Sequence, residues 1–82
     1  MARYFFHLRG GATPVPDDEG IELDGPDSVR RTALTGARSI ISEDARAGFV
    51  DLTARIEVSD TTGRIVLVLP FTEAVRVALG TA

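Results

Sequence analysis

The residues of this chain that could do chemistry lie near its beginning. His7 is the only histidine, and its imidazole could act as a general base or a proton switch near neutral pH. The sequence has no nucleophile at a diagnostic spacing from His7, and a single histidine in an aromatic segment usually has a structural or interfacial role. A catalytic site shared between subunits, with His7 and Glu19 as its residues, remains an alternative.

A dense acidic segment follows, with five carboxylates in the eight positions 17–24: Asp17, Asp18, Glu19, Glu22 and Asp24. Carboxylates are ligands for hard cations such as Ca²⁺, but this segment lacks the alternating ligands and the closing glutamate of a calcium loop. A solvated sheet edge that repels other strands is the favoured interpretation. Without cysteine and with one histidine, the chain has no thiolate or multi-imidazole zinc site, so we predict neither a metal nor a cofactor.

All nine basic residues are arginines, and three of them share one side of a predicted helix. Arg31, Arg38 and Arg46 fall within about 60° of one another at 100° per residue. Such a stripe would fit a phosphate backbone or an acidic protein surface, although a plain solvent-facing side of the helix is the default interpretation. The net charge of -3 argues against a general polyanion binder, so nucleic-acid binding is an alternative that we do not favour. Phosphate-binding glycine loops and the common hydrolase motifs are absent from the sequence, and we predict no catalytic residue.

Side-chain alternation and turn residues predict six elements. Strands are expected at 3–9 and 21–23, then a helix that is entered at 25–28, capped by Asp27 or Ser28, and ends near Ala47. Two further strands, 54–59 and 64–69, flank a turn, and Thr72 would cap a short helix at 73–79. The order β-β-α-β-β-α predicts an α+β fold, with one long helix packed on a mainly antiparallel four-stranded sheet. Residues 1–82 should form a single domain, but the order of the strands stays open.

The two faces of this sheet should differ. Tyr4, Phe6 and Leu8 would face the predicted helix. The apolar side of that helix is formed by residues between Val29 and Ile41. Alternation leaves a second set of side chains on the opposite face: Phe5, His7, Val66 and Val68. Because contiguous exposed apolar surface usually marks an interface, either the C-terminal helix or a second copy of the chain should cover this face. We favour the second copy.

Three segments of the chain resemble a known family. They are RYFFH at 3–7, DEGIEL at 18–23, and RIEVSD at 55–60 followed by GR at 63–64. The chain resembles short bacterial proteins, of the alphaproteobacterial type, that are classed as a domain of unknown function and open with an M-P-R-Y-F-F-H-like strand. Ala2 stands where proline is usual. The resemblance covers nearly the whole chain and implies neither an activity nor catalytic residues.

The favoured function is therefore that of a small non-catalytic protein that forms a homodimer or binds another protein. A nucleic-acid-associated or antitoxin-like regulator is one alternative, the antitoxin likeness being one of topology only. An enzyme subunit with an interfacial site is the other. The longest apolar run, 65–69, is far shorter than the roughly 20 residues of a membrane span, and no secretory signal follows Met1, so a cytoplasmic location without membrane contact is expected.

Overall fold

Six elements follow one another in the predicted order. The computed structural model describes residues 1–11 and 14–80. The elements are β1 (Ala2–Arg9), β2 (Ile21–Leu23), α1 (Pro26–Ala47), β3 (Arg55–Ser59), β4 (Ile65–Pro70) and α2 (Phe71–Ala74). All strand pairs are antiparallel, which confirms the α+β fold. Within the described part of the chain, no helix has both the length and the apolar character needed to cross a membrane.

The strand order, which the sequence left open, is β2-β1-β3-β4. The first half of β1 pairs with β2, from Ala2 opposite Leu23 to Tyr4 opposite Ile21. Its second half pairs with β3, and β3 pairs on its other side with β4. The sheet therefore has two edges of different character: a three-residue strand in the acidic segment and the six-residue apolar strand β4.

The core lies between α1 and one face of the sheet. Val29, Ala33 and Ala37 are buried at a spacing of four residues along α1, and the two alanines let the helix approach the strands closely. The sheet contributes the buried Val58 and Leu69. Tyr4, Phe6 and Leu8 pack against this core, as the alternation predicted.

The long helix ends as expected but lacks the predicted cap at its start. Gly48 follows its last residue in the left-handed conformation, with φ of 94°, and donates its N–H to the carbonyl of Ala45. At the other end, α1 starts at Pro26, and Gly25 precedes it without a side-chain cap. The helix thus begins within the predicted entry, but the predicted cap by Asp27 or Ser28 is wrong, because Pro26 takes the first helical position, where no N–H is needed.

The predicted C-terminal helix at 73–79 is wrong. The observed α2 is a single turn, Phe71–Ala74, and Val75 already has extended backbone angles. Phe71 and Ala74 are buried and hold this turn on the core, whereas Val77 and Leu79 are exposed. A turn of this length has little stability without packing, and β-branched valines favour extended conformations. This segment consequently forms no helix that could cover the second face of the sheet.

Candidate interaction surface

Three of the four residues predicted as a contact surface, Phe5, His7 and Val68, lie on one face, which we call the open face because it is opposite α1. Cross-strand partners share a face of a sheet, and His7 is paired with Glu57, which is paired in turn with Val68. Phe5 lies two residues from His7 along the regularly paired β1. Val66 is the exception, because it lies where the β3–β4 register shifts and borders a cavity that Tyr4 and Val29 line beside α1. The polar strand β3 thus separates Phe5 and His7 from the two valines.

A charged strip runs along β3 in the middle of the open face. The Arg55 guanidinium donates from Nε to the Glu57 carboxylate at 2.9 Å, and Arg9 Nε lies 3.6 Å from the other carboxylate oxygen. The Glu57 side chain is only about one-fifth exposed, so its two arginine partners compensate for the partial loss of water. The open face is therefore not a continuous apolar patch.

His7 is held by hydrogen bonds at both ring nitrogens. The backbone N–H of Asp17 donates to Nδ1 at 3.1 Å, and Nε2 lies 3.0 Å from the hydroxyl of the buried Ser59. A nitrogen that accepts an N–H carries no proton, so the neutral ring has its proton on Nε2 and donates it to Ser59 Oγ. A catalytic serine–histidine pair needs the reverse, with Nε2 accepting the hydroxyl proton. The contacts of His7 thus support a structural role.

Asp17 is the residue that the sequence analysis missed, because it was grouped with four neighbouring carboxylates as a solvated edge. Its Oδ2 accepts the N–H of Phe6 at 2.9 Å, and its Oδ1 accepts the N–H groups of Glu19 and Gly20. Partial burial opposes ionisation, but the N–H donors of Phe6, Gly20 and Glu19 outweigh it and hold the pKa of Asp17 below its usual value. The sequence signal is an aspartate three residues before a glycine, a common turn arrangement.

Phe5 is partly covered by this acidic arm, as we call residues 17–24. Gly20 lies against β1 with φ of 71°, and a methyl group added to it would lie 2.9 Å from the Phe5 ring and 2.8 Å from the carbonyl oxygen of Tyr4. Only glycine combines that conformation with such a close approach. Two residues of the arm therefore contact the open-face side chains of β1, Gly20 beside Phe5 and Asp17 beside His7.

The exposed apolar part of the predicted surface belongs to β4. Val66 is 46% exposed and Val68 is 45% exposed, and both are more exposed than the half-buried Phe5 and His7. Ile65, at the beginning of the same strand, is 48% exposed and adds to the apolar surface. The structure thus places the apolar surface available for contact on one edge strand.

Comparison with known proteins identifies the family of the chain. The family model described as a domain of unknown function, DUF6894, matches residues 3–72. The chain belongs to this family. The match includes all of β1 except Ala2, the whole of β2 to β4 and the acidic arm, and therefore every residue of the candidate surface. No curated protein and no solved structure matches the chain, and the function of this DUF6894 domain has to be argued from its surface.

The predicted arginine stripe is interrupted. Arg31, Arg38 and Arg46 are all exposed on α1 of the DUF6894 domain. However, Arg38 donates from Nε to the carbonyl oxygen of Ala74 at 2.8 Å and thereby fastens α2 to α1. The remaining two lie 15 residues apart, or about 22 Å along the helix axis. This spacing makes a weaker anion-binding surface than three neighbouring guanidinium groups.

Two cavities lie at the ends of the DUF6894 helix. One, of about 220 Å³, is next to its C-terminal end, and the ionisable groups in its described lining are Asp44 and Asp51. The other, of about 330 Å³, lies at the N-terminal end and includes Tyr4, Asp27 and Arg30. Within residues 1–11 and 14–80, no group of three or more histidine, cysteine or acidic side chains is close enough to hold a metal ion.

Proposed function

We propose that this protein is a small non-catalytic module that acts by associating with itself or with another protein, and that β4 forms the contact surface. One observation carries this proposal: Ile65, Val66 and Val68 are nearly half exposed on a strand at the edge of the sheet. An uncharged edge strand of this length is a favourable template for contact with another chain. Completing the burial of each valine would contribute roughly 1 kcal/mol to association.

Phe5 and His7 have a secondary place in this proposal. The acidic arm lies over Phe5, and both ring nitrogens of His7 are engaged by Asp17 and Ser59. A partner could reach these two side chains fully only if the arm moved, which would break the contacts of Asp17. The proposed surface is therefore centred on Val66 and Val68, with Phe5 and His7 at its boundary.

The first experiment measures the mass of the protein in solution. Light scattering coupled to size-exclusion chromatography, at several protein concentrations, should show a dimer that Val68→Asp converts to a monomer. Val15→Asp is the matched control, because Val15 is exposed to a similar degree but pairs with Leu8 on the far side of β1. Circular dichroism would verify that both variants are folded. Equal dissociation by both variants would contradict a surface on β4.

A second experiment addresses binding to another protein. A photo-crosslinking amino acid at position 68 should capture a partner in the cell, and the same amino acid at position 15 should not. A protein that is monomeric at every concentration and captures nothing selectively from position 68 would overturn the proposed function.

Binding to nucleic acid is the alternative, supported by the exposed Arg31 and Arg46. If the protein binds nucleic acid, replacing both arginines with alanine should weaken binding to a DNA duplex. The plot of log binding constant against log salt concentration should also become less steep, by about one unit of slope per lost phosphate contact. Fluorescence anisotropy at two salt concentrations provides the measurement. Absent or salt-insensitive binding by the unaltered protein would exclude this alternative.

A further inference from the structure

We propose that β4 pairs in antiparallel register with β4 of a second copy of this chain, with Leu67 on the two-fold axis, to form a continuous eight-stranded sheet. This inference rests on the proposed function and specifies how the association occurs. The contact would be made by main-chain hydrogen bonds along the edge of the sheet and not by stacking of two open faces.

The hydrogen-bonding pattern of β4 identifies the groups that are available for pairing. Phe71 donates its N–H to the carbonyl of Ala54 at 3.0 Å, and the β3–β4 register continues from this pair to Ile56 opposite Leu69 and Val58 opposite Leu67. In an antiparallel ladder, every second residue bonds to the same neighbour, so Leu67 and Leu69 bond to β3. Because the N–H and C=O of a trans peptide point to opposite sides, the N–H of Val68 and the carbonyls of Val66 and Val68 point away from β3.

These outward groups determine the register. When Leu67 faces Leu67 of the second copy, the N–H of each Val68 meets the carbonyl of Val66 in the other chain. The two-fold axis repeats this bond, so the contact is self-complementary and closed. Pro70, which has no N–H, ends the ladder on one side. The irregular pairing between Val58 and Ser59 ends it on the other.

The charges of the two sheet edges favour a second β4 as the occupant. From Ile65 to Pro70, β4 carries no charged residue. The opposite edge, β2, is three residues long, contains Glu22 and lies between Glu19 and Asp24. Two β2 edges would bring carboxylates together, and pairing of β2 with β4 would leave further edges open for growth. Pairing of β4 with itself avoids both problems and places Val68 of each chain opposite Val66 of the other.

Single-cysteine variants test this register directly, because the natural chain contains no cysteine. An equimolar mixture of Val66→Cys and Val68→Cys should form, under mild oxidation, a clearly larger share of mixed disulfide than the roughly one half that random pairing would give. Hydrogen-bonded antiparallel partners have Cα atoms about 5.5 Å apart, within the range that a disulfide spans. A mixture of Val66→Cys with Val15→Cys is the control and should show no preference.

A pair of substitutions at position 68 separates edge pairing from face stacking. Val68→Pro removes the outward N–H but retains an apolar side chain, whereas Val68→Ala retains the N–H and loses apolar surface. For edge pairing, the proline variant loses both symmetric hydrogen bonds, and its dimer dissociation constant should rise by about tenfold or more and exceed that of the alanine variant. Amide exchange of Val68 in the unaltered protein should also slow as the protein concentration rises, which requires no variant to fold.

The results distinguish this inference from the proposed function. A dimer in which Val68→Pro associates as well as Val68→Ala, with no preference for the mixed disulfide and no protection of the Val68 amide, would overturn edge pairing and leave self-association intact. A protein that stays monomeric at every concentration would overturn the dimer itself.

Discussion

The Asp17 carboxylate accepts the backbone N–H of Phe6 at 2.9 Å and thereby joins the acidic arm to the middle of β1. Its other oxygen accepts the N–H groups of Glu19 and Gly20. Asp17→Ala leaves these donors without their partner and should lower the free energy of unfolding by about 1–2 kcal/mol, measured by urea denaturation. Asp18→Ala, at the exposed neighbouring position, should change it by less than about 0.5 kcal/mol.

Asp17 also makes stability depend on pH. The pKa of Asp17 in the folded protein lies below its usual value of 3.8, so its contribution to stability is complete above the unfolded pKa. That contribution is lost as the pH falls below about 4 and through the folded pKa. The free energy of unfolding, measured between about pH 6 and pH 2, should fall less steeply for Asp17→Asn, which does not ionise.

The comparison with Asp17→Asn is needed because other carboxylates also make the free energy of unfolding depend on pH. The Thr53 hydroxyl and N–H lower the pKa of Asp51, and the Thr62 hydroxyl lowers that of Asp60 despite opposing desolvation. The difference between the two proteins isolates Asp17. Parallel curves for the natural chain and Asp17→Asn would show that the three backbone hydrogen bonds do not persist in solution.

Gly20→Ala should destabilise the protein more than Gly63→Ala. Both glycines have positive φ values, 71° and 85°, so each substitution carries a conformational cost of about 1–2 kcal/mol. At Gly63 the added methyl group meets nothing within 4 Å, whereas at Gly20 it would lie 2.8 Å from the Tyr4 carbonyl oxygen. We expect an additional loss of about 1–3 kcal/mol for Gly20→Ala in thermal or urea denaturation. Equal losses would mean that the arm does not lie against β1.

Arg38 should contribute to stability more than to anion binding. Its Nε donates to the Ala74 carbonyl at 2.8 Å, so Arg38→Ala should cost about 1 kcal/mol of unfolding free energy and loosen α2. Arg31→Ala, on the same side of α1, is the control and should be close to neutral. Urea denaturation and limited proteolysis after Arg76 provide the measurements, and an equal response of the two variants would contradict the role of Arg38.

Much of the fold could be predicted because it depends on local patterns. The alternation in β1 assigned Tyr4, Phe6 and Leu8 to the core, and Gly48 marked the end of α1. The C-terminal helix could not be predicted correctly from periodicity alone. Its stability depends on packing, and only Phe71 and Ala74 find a place in the core.

The candidate surface likewise combines features that local patterns predict with features that depend on contacts between distant residues. Alternation placed Phe5, His7 and Val68 on one face, in agreement with the strand register, but it did not indicate the irregular pairing at Val66. It did not indicate that Asp17 and Gly20 fold back over Phe5 and His7, because that contact joins residues about ten or more positions apart. Nor did it indicate that Arg38 is engaged by Ala74, which lies 36 residues further along the chain.

By itself, the sequence determined the number, kind and order of the main elements and the face that the regularly paired strand residues occupy, since these follow from periodicities of two and 3.6 residues and from turn residues. The tertiary structure alone decided the strand order, which places β4 at an edge, and the position of the acidic arm over β1. Both depend on contacts between distant segments, whose relative stability no local pattern encodes. The exposed valines of β4 are a consequence of that strand order.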